Sequence, residues 1–332
     1  MTIKAQICRE AREKYGWEMP SKQLARIVYK ENPLSFTDVE NARSAIRYIE
    51  GKIGGRSAKN KTNKKMEARQ YNPYNLPTSY AESREPFKLP LACNNILMIS
   101  DLHVPYHNIE AVSLAIKYGE DNKINTIFIN GDLMDFHRIS KFQHDPRKRS
   151  IKEEFDACRA LLEKLREVFP QAEIYWLKGN HDVRYELWLM SKCVEIFDDP
   201  YYQLENRLRL NELRIKLLDD KQLIKMGNLN VTHGHHVFKG VFTPVNPARG
   251  AYMRAKKSII CGHLHRPSTH TEVDIDGNIT VCHTTGCLCE LRPDYSPLVA
   301  NSMHGFAHIT TEINGDYLVK NYQIVEGKIY NA

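Results

Sequence analysis

The sequence predicts an α/β fold, built on a mixed sheet or two packed sheets and preceded by a small all-α unit. Three observations support this. From Asn94 onward, short aliphatic runs alternate with longer amphipathic stretches, as in strands and helices packed in layers. Short polar motifs follow directly on the aliphatic runs. The first fifty residues carry helical periodicity only.

Residues 3–15 read as an amphipathic helix ending near Gly16. Pro20 suits the first turn of a second helix, with Leu24, Ile27 and Val28 on one face and Asn32-Pro33 as its break. Thr37-Asp38-Val39-Glu40 reads as a capping box before a third helix, whose apolar positions are Val39, Ala42, Ile46 and Ile49. Gly51, Gly54 and Gly55 close it. Residues 1–52 thus form a three-helix domain. Helix-turn-helix-like recognition and protein docking are both open for it, with Arg43 and Arg47 on the third helix. Residues 53–92 lack apolar periodicity and carry Lys, Asn, Gly and the prolines 73, 77, 86 and 90, which marks a basic linker.

The third segment spans 93–332. Ile96–Ile99, Thr126–Ile129 and Glu173–Leu177 read as strands, and Ile109–Tyr118 and Ile151–Val168 as helices. Strands over Leu229–Thr232 and Ser258–Cys261 follow. Hairpin strands over Thr269–Ile275, Ile279–His283, Phe306–Ile313 and Tyr317–Val325 turn at Asp276-Gly277-Asn278 and Asn314-Gly315-Asp316.

Five motifs terminate the first strands: Asp101-Leu102-His103, Gly131-Asp132-Leu133-Met134-Asp135, Gly179-Asn180-His181-Asp182, His233-Gly234 and Gly262-His263-Leu264-His265. Ligands gather at the carboxyl ends of strands in open α/β sheets. The donors are carboxylates, one amide and imidazoles, with no thiol. That set suits two divalent ions such as Mn, Fe, Zn or Ni, and two-metal sites displace groups at phosphorus. The eight cysteines include no C-x-x-C pair, so they read as reduced small hydrophobes rather than zinc ligands, Cys282, Cys287 and Cys289 included.

In this order the motifs resemble the calcineurin-like metallophosphoesterases over roughly residues 94–310. The flanking sequences Ser100–His107 and Gly179–Arg184 look most like bacterial and phage members. The resemblance implies a four-layer α-β-β-α sandwich of two mixed sheets and hydrolysis of phosphate esters by a metal-activated water. It assigns Asp101, His103 and His265 to one ion and Asn180, His233 and His263 to the other, with Asp132 bridging and manganese favoured. His181 becomes the general acid and Asp135 its orienting carboxylate, while Asp182 holds the turn. His235 and His236 beside His233 leave the fourth motif ambiguous. The protein Ser/Thr phosphatase subgroup fits less well: Asp135-Phe136-His137 stands where it has Asp-Arg-Gly, and Asp182 where it has Glu.

Arg138 and Arg184 are the expected substrate contacts, because arginine grips phosphate bidentately; the run Arg147-Lys148-Arg149 adds positive charge nearby. Residues 1–80 hold 16 Lys/Arg against 8 Asp/Glu, a balance of +8, and the remainder is at −1 (31 against 32). Such asymmetry suggests a polyanionic partner. A nucleic-acid phosphoesterase, either nuclease or end-processing phosphatase, is therefore expected. The alternatives are a small-molecule or phosphoprotein phosphomonoesterase and a non-catalytic nucleic-acid-binding or scaffold protein. No apolar run reaches the roughly 20 residues of a membrane span, and Met1–Gln6 lacks the apolar stretch of a secretory signal. A cytoplasmic location without membrane contact is expected.

Overall fold

The computed structural model describes residues 3–53, 73–74, 76–77, 80, 84–140, 150–240, 245–292 and 301–332. The chain divides into two compact units, Met1–Ala81 and Glu82–Ala332.

In the first unit, helices α1 (Ile3–Tyr15), α2 (Ser21–Glu31) and α3 (Val39–Ile49) bury Cys8, Leu24, Ala25, Val28, Phe36, Ala42 and Ile46 together. Two helix starts differ by a residue from the sequence reading. Pro20 is the N-cap of α2 rather than part of its first turn. Asp38, not Thr37, caps α3: its extended backbone lets the carboxylate accept from Asn41 N at 2.7 Å. Arg12 is buried, donating to the carbonyls of Gly16 (3.0 Å) and Met19 (2.7 Å) and pairing with Glu50.

The second unit begins inside the segment read as linker. Phe87–Lys88 form strand β1, parallel to β6 (Ile224–Met226), with Phe87 N on Leu223 O and Leu89 N on Lys225 O, both at 2.9 Å. The Phe87 ring lies 5.9 Å from that of Tyr175, and this contact draws the end of the linker onto the sheet.

Parallel strands β2 (Asn95–Ile99), β3 (Thr126–Asn130), β4 (Glu173–Leu177) and β5 (Ile215–Leu218) continue into antiparallel β11 (His304–Thr311), β12 (Tyr317–Val325) and β13 (Lys328–Asn331). They make a seven-stranded sheet in the order β13-β12-β11-β2-β3-β4-β5. The second sheet joins β7 (Leu229–Thr232), β8 (Ile259–Cys261), β9 (Ser268–Val273) and β10 (Ile279–Thr284) in the order β1-β6-β7-β8-β10-β9.

Strand alternation sorts the residues into layers. Ile96, Met98 and Phe128 face the second sheet and meet Met226, Val231 and Ile260. Leu97, Ile99, Ile127, Ile129 and Trp176 face the opposite way, onto α4 (Ile109–Asp121), α5 (Ile151–Val168) and α6 (Val183–Lys192). Helix α7 (Pro247–Ala255) covers the outer face of the second sheet with Ala248 and Ala251 against Ile259 and Cys261. This is the expected four-layer α-β-β-α sandwich of two mixed sheets. Among the described residues, no helix is long and apolar enough to cross a membrane.

Candidate metal centre

Strands β2, β3, β4, β7 and β8 deliver their motifs to one rim. The first two loops are laced together as if the ladder continued. Asp101 N donates to Gly131 O (3.1 Å), His103 N to Asp132 O (3.0 Å) and Asp135 N to Val104 O (3.1 Å). Gly262 N donates to His233 O at 2.8 Å, and His263 N reaches Asp101 Oδ2 at 3.0 Å. The backbone bends sharply to achieve this. Asp101, His103, Asp132, His263 and His265 all sit at φ between 49° and 69°, a region that costs non-glycine residues about 1–3 kcal/mol each. Gly179 is required for a different reason. A Cβ there would lie 2.2 Å from Asp132 Oδ1 and 2.4 Å from Asp132 N.

The side chains then converge. His265 Nε2 is 3.2 Å from Asp101 Oδ1 and 3.2 Å from His103 Nε2. Asp132 Oδ2 faces both halves of the site, 3.8 Å from His103 Nε2 and 3.1 Å from His233 Nε2. Its other oxygen, Oδ1, accepts from His181 N at 2.8 Å. The structure therefore brings Asp101, His103, Asp132, His233, His263 and His265 together, with Asn180 between Gly179 and His181 in the same loop.

Two observations show that this set fits cations. His233 Nδ1 donates to Asn130 O at 2.8 Å, which turns Nε2 toward the Asp132 carboxylate at 3.1 Å. An acceptor nitrogen and a carboxylate that close repel unless positive charge lies between them. The Asn180 Oδ1 acceptor is likewise buried without a hydrogen-bond partner. The electrostatics agree. Burial would lower the His233 imidazole, but Asp132 outweighs it and pushes the group up to about 9. Burial would raise Asp132, but His233 and His181 hold it well below the usual carboxylate range. Burial and the adjacent His233 push His263 down to about 4, which keeps it a neutral imidazole able to ligate a cation.

Asp135 does more than the sequence suggested. Its Oδ1 meets His181 Nδ1 at 3.1 Å and also His103 Nδ1 at 3.0 Å, so one buried carboxylate orients both rings. Burial opposes its ionisation, but these two contacts hold it well below the usual range. Asp182 accepts from Gly179 N (2.7 Å), Met134 N (2.9 Å) and Trp176 Nε1 (3.3 Å), tying the second motif to the third.

Arg184 is placed differently from the expectation of an open phosphate contact. Its guanidinium donates to Asp135 O at 3.0 Å and to His181 Nε2 at 2.9 Å. Arginine only donates, so His181 Nε2 is the acceptor in this arrangement. Arg138 lies in the short helical turn His137–Ile139 after the second motif. Arg147-Lys148-Arg149 fall outside the described residues. Cys289, read from the sequence as a small hydrophobe, lies beside the centre, its Sγ 4.0 Å from His265 Nδ1. Its neighbour Cys287 and burial hold that thiol well above its ordinary pKa, so it is a neutral neighbour. The fourth motif resolves cleanly: His233 enters the centre, whereas His235 and His236 turn to Asp220.

The family model for calcineurin-like phosphoesterases matches residues 95–267, which contain every one of these motifs. The chain belongs to the calcineurin-like phosphoesterases. It is thus a metal-dependent hydrolase of phosphoesters, and this family uses divalent metal ions. The Gene 54 protein of Mycobacterium phage L5 is 30% identical over 181 residues, covering 52% of this chain and 69% of the relative. Among solved structures, the phosphoesterase Yfce from E. coli is 16% identical with a TM-score of 0.33, covering 67% of this chain and 93% of that one. The nuclease MPE of Pseudomonas putida is 13% identical with a TM-score of 0.31, covering 73% and 93%.

Proposed function

We propose that this calcineurin-like phosphoesterase hydrolyses phosphate esters of nucleic acid, as a nuclease or end-processing phosphatase. In this reading Asp101, His103 and His265 hold one divalent ion and Asn180, His233 and His263 the other. Asp132, whose Oδ2 faces both sets, would be shared between the two. When bound, the ions supply Lewis-acid charge and acidify water at neutral pH. Manganese suits this nitrogen and oxygen donor set, and so do iron, zinc and nickel.

The chain's own residues complete the chemistry. With Arg184 moved off, His181 Nε2 takes up a proton from solvent, and the imidazolium, held by Asp135 at Nδ1, gives that proton to the leaving oxygen. In the resting geometry Arg184 Nη2 stands 2.9 Å from that Nε2, where the leaving oxygen has to sit. A bound ester takes that position, and the displaced guanidinium pairs with the phosphate alongside Arg138.

The location of the basic charge carries the polymer reading. Residues 1–51 hold 9 Lys/Arg against 7 Asp/Glu, a balance of only +2. Helix charges in that stretch are also paired, as in Arg12–Glu50, Lys14–Glu31 and Arg43–Glu40. Residues 52–69 hold 7 Lys/Arg against 1 Asp/Glu, which is +6 within eighteen positions. The polyanion grip is therefore assigned to this segment more than to the three-helix domain of residues 1–52. In the test, Lys59, Lys61, Lys64 and Lys65 are all replaced by Gln. Affinity for single- and double-stranded DNA is then measured across a salt series, with turnover of bis-p-nitrophenyl phosphate alongside. The expected result is a salt slope lowered by about 3–4, from the loss of about four phosphate contacts, and unchanged turnover of the small ester. An unchanged slope would favour a small-molecule or phosphoprotein phosphomonoesterase.

A further inference from the structure

Outside the metal centre, a separate donor set converges among the described residues: Asp220, His235 and His236. Asp220 lies just past the carboxyl end of β5, and the two histidines follow β7 by way of His233-Gly234. Both belong to the rim that carries the catalytic motifs. His235 Nε2 lies 3.3 Å and His236 Nε2 3.0 Å from the same oxygen, Asp220 Oδ2, and the two rings stand 3.9 Å apart.

We infer that Asp220, His235 and His236 form an additional divalent-cation site beside the dinuclear centre, with zinc as its best-fitting occupant. Ligand atoms on tetrahedral zinc, at bonds of about 2.0–2.1 Å, stand about 3.3 Å apart. The two spacings to Asp220 Oδ2, 3.3 and 3.0 Å, are close to that separation. Two imidazoles and one carboxylate are the ligand set of an open zinc site, with the remaining position left for water or substrate. The exposures fit such a site: Asp220 and His235 are 10% and 14% exposed, whereas His236 is 47% exposed and forms the open side. Lys178, which feels the Asp220 charge, is itself paired with Glu186 at 2.8 Å. The His235 ring lies 5.5 Å from that of His233 and 6.2 Å from that of His263. A cation here adds positive charge at one end of the catalytic cleft, where it suits a second phosphoryl group. The site stands whether or not the substrate is nucleic acid.

The test is a zinc count on the full chain, stripped by chelator, dialysed against excess Zn(II) and analysed by elemental mass spectrometry. Wild type is expected to retain one zinc equivalent more than His236→Gln, a change at a half-exposed position that leaves the fold intact. Asp220→Asn should lose the same equivalent, and Asp132→Ala should keep it. Zinc should also move the ring nitrogen resonances of His236 in Asp132→Ala. Equal zinc content in wild type and His236→Gln, or His236 resonances indifferent to zinc, would overturn the site. Either result would show that Asp220 holds the two rings by hydrogen bonds alone.

Discussion

Asp182 makes no contact with substrate or metal in the proposed mechanism, yet its removal should be costly. Its carboxylate is fully buried and accepts from Gly179 N, Met134 N and Trp176 Nε1 at 2.7, 2.9 and 3.3 Å. Asp182→Ala strands three buried donors. Each stranded donor costs about 1–3 kcal/mol, with the long indole contact at the low end, for a total of about 4 kcal/mol. For a unit of this size, that is a fall in Tm of roughly 8–16 °C. Asp182→Asn keeps one carbonyl acceptor but turns an amide NH2 toward another donor, so about half the loss is expected. The measurement is calorimetry of both variants at saturating metal. Metal affinity should weaken in the same order, because Asp182 fixes the loop of Asp132 against that of Asn180. If Asp182→Ala melts within about 2 °C of wild type, the carboxylate is not what holds those loops.

Other expected outcomes follow from the same geometry. Asp132→Ala should abolish binding of both catalytic ions, measured by metal content, whereas His181→Ala should retain them and lower turnover roughly 10²–10⁴-fold. Gly179→Ala should fold yet lose metal, since the added methyl meets the Asp132 backbone nitrogen 2.4 Å away. In the first unit, burial opposes ionisation of Glu50, but Lys52, Ser21 and Arg12 outweigh it and lower its pKa. A lowered carboxylate adds stability above its unfolded pKa of about 4.3 and loses it as pH falls through the folded value. Calorimetry should therefore show Glu50→Gln destabilising the helical unit at pH 7, with the difference from wild type shrinking in acid.

What the sequence discloses divides along physical lines. Ile96–Ile99 was legible as an unbroken apolar run and Ile151–Val168 by its helical period, whereas helices α6 and α7 went unread. Strands β5, β6 and β13 were not legible: they are three or four residues long, with Lys216 and Lys225 inside the first two and Lys328 opening the third, so no window holds a full alternation. The seven proposed metal-donor positions could be named because each follows a strand in a recognisable motif. Arg184 on His181, the double use of Asp135 and the convergence on Asp220 were hidden. Each is a contact between loops far apart in sequence, and no local pattern encodes it. The capping of α3 by Asp38 rather than Thr37 shows the same limit at short range, where two adjacent good caps compete and backbone geometry decides.

The strain at the centre and its chemistry have one origin. A ligand that follows a parallel strand points along the strand, away from its neighbours' ligands, unless the backbone turns at once. Asp101, His103, Asp132, His263 and His265 turn by entering the left-handed region, where a side chain is unfavourable and glycine would be easier. Glycine cannot serve at those positions because the donor atom itself is needed there. The neighbouring positions 131, 179 and 262 take glycine instead, and a Cβ at each would strike His233, Asp132 or Asp101. The motifs Gly-Asp, Gly-Asn-His and Gly-His-x-His are thus a division of labour. Glycine yields the space, the strained residue supplies the proposed ligand, and the inter-loop hydrogen bonds help to offset the cost of holding both.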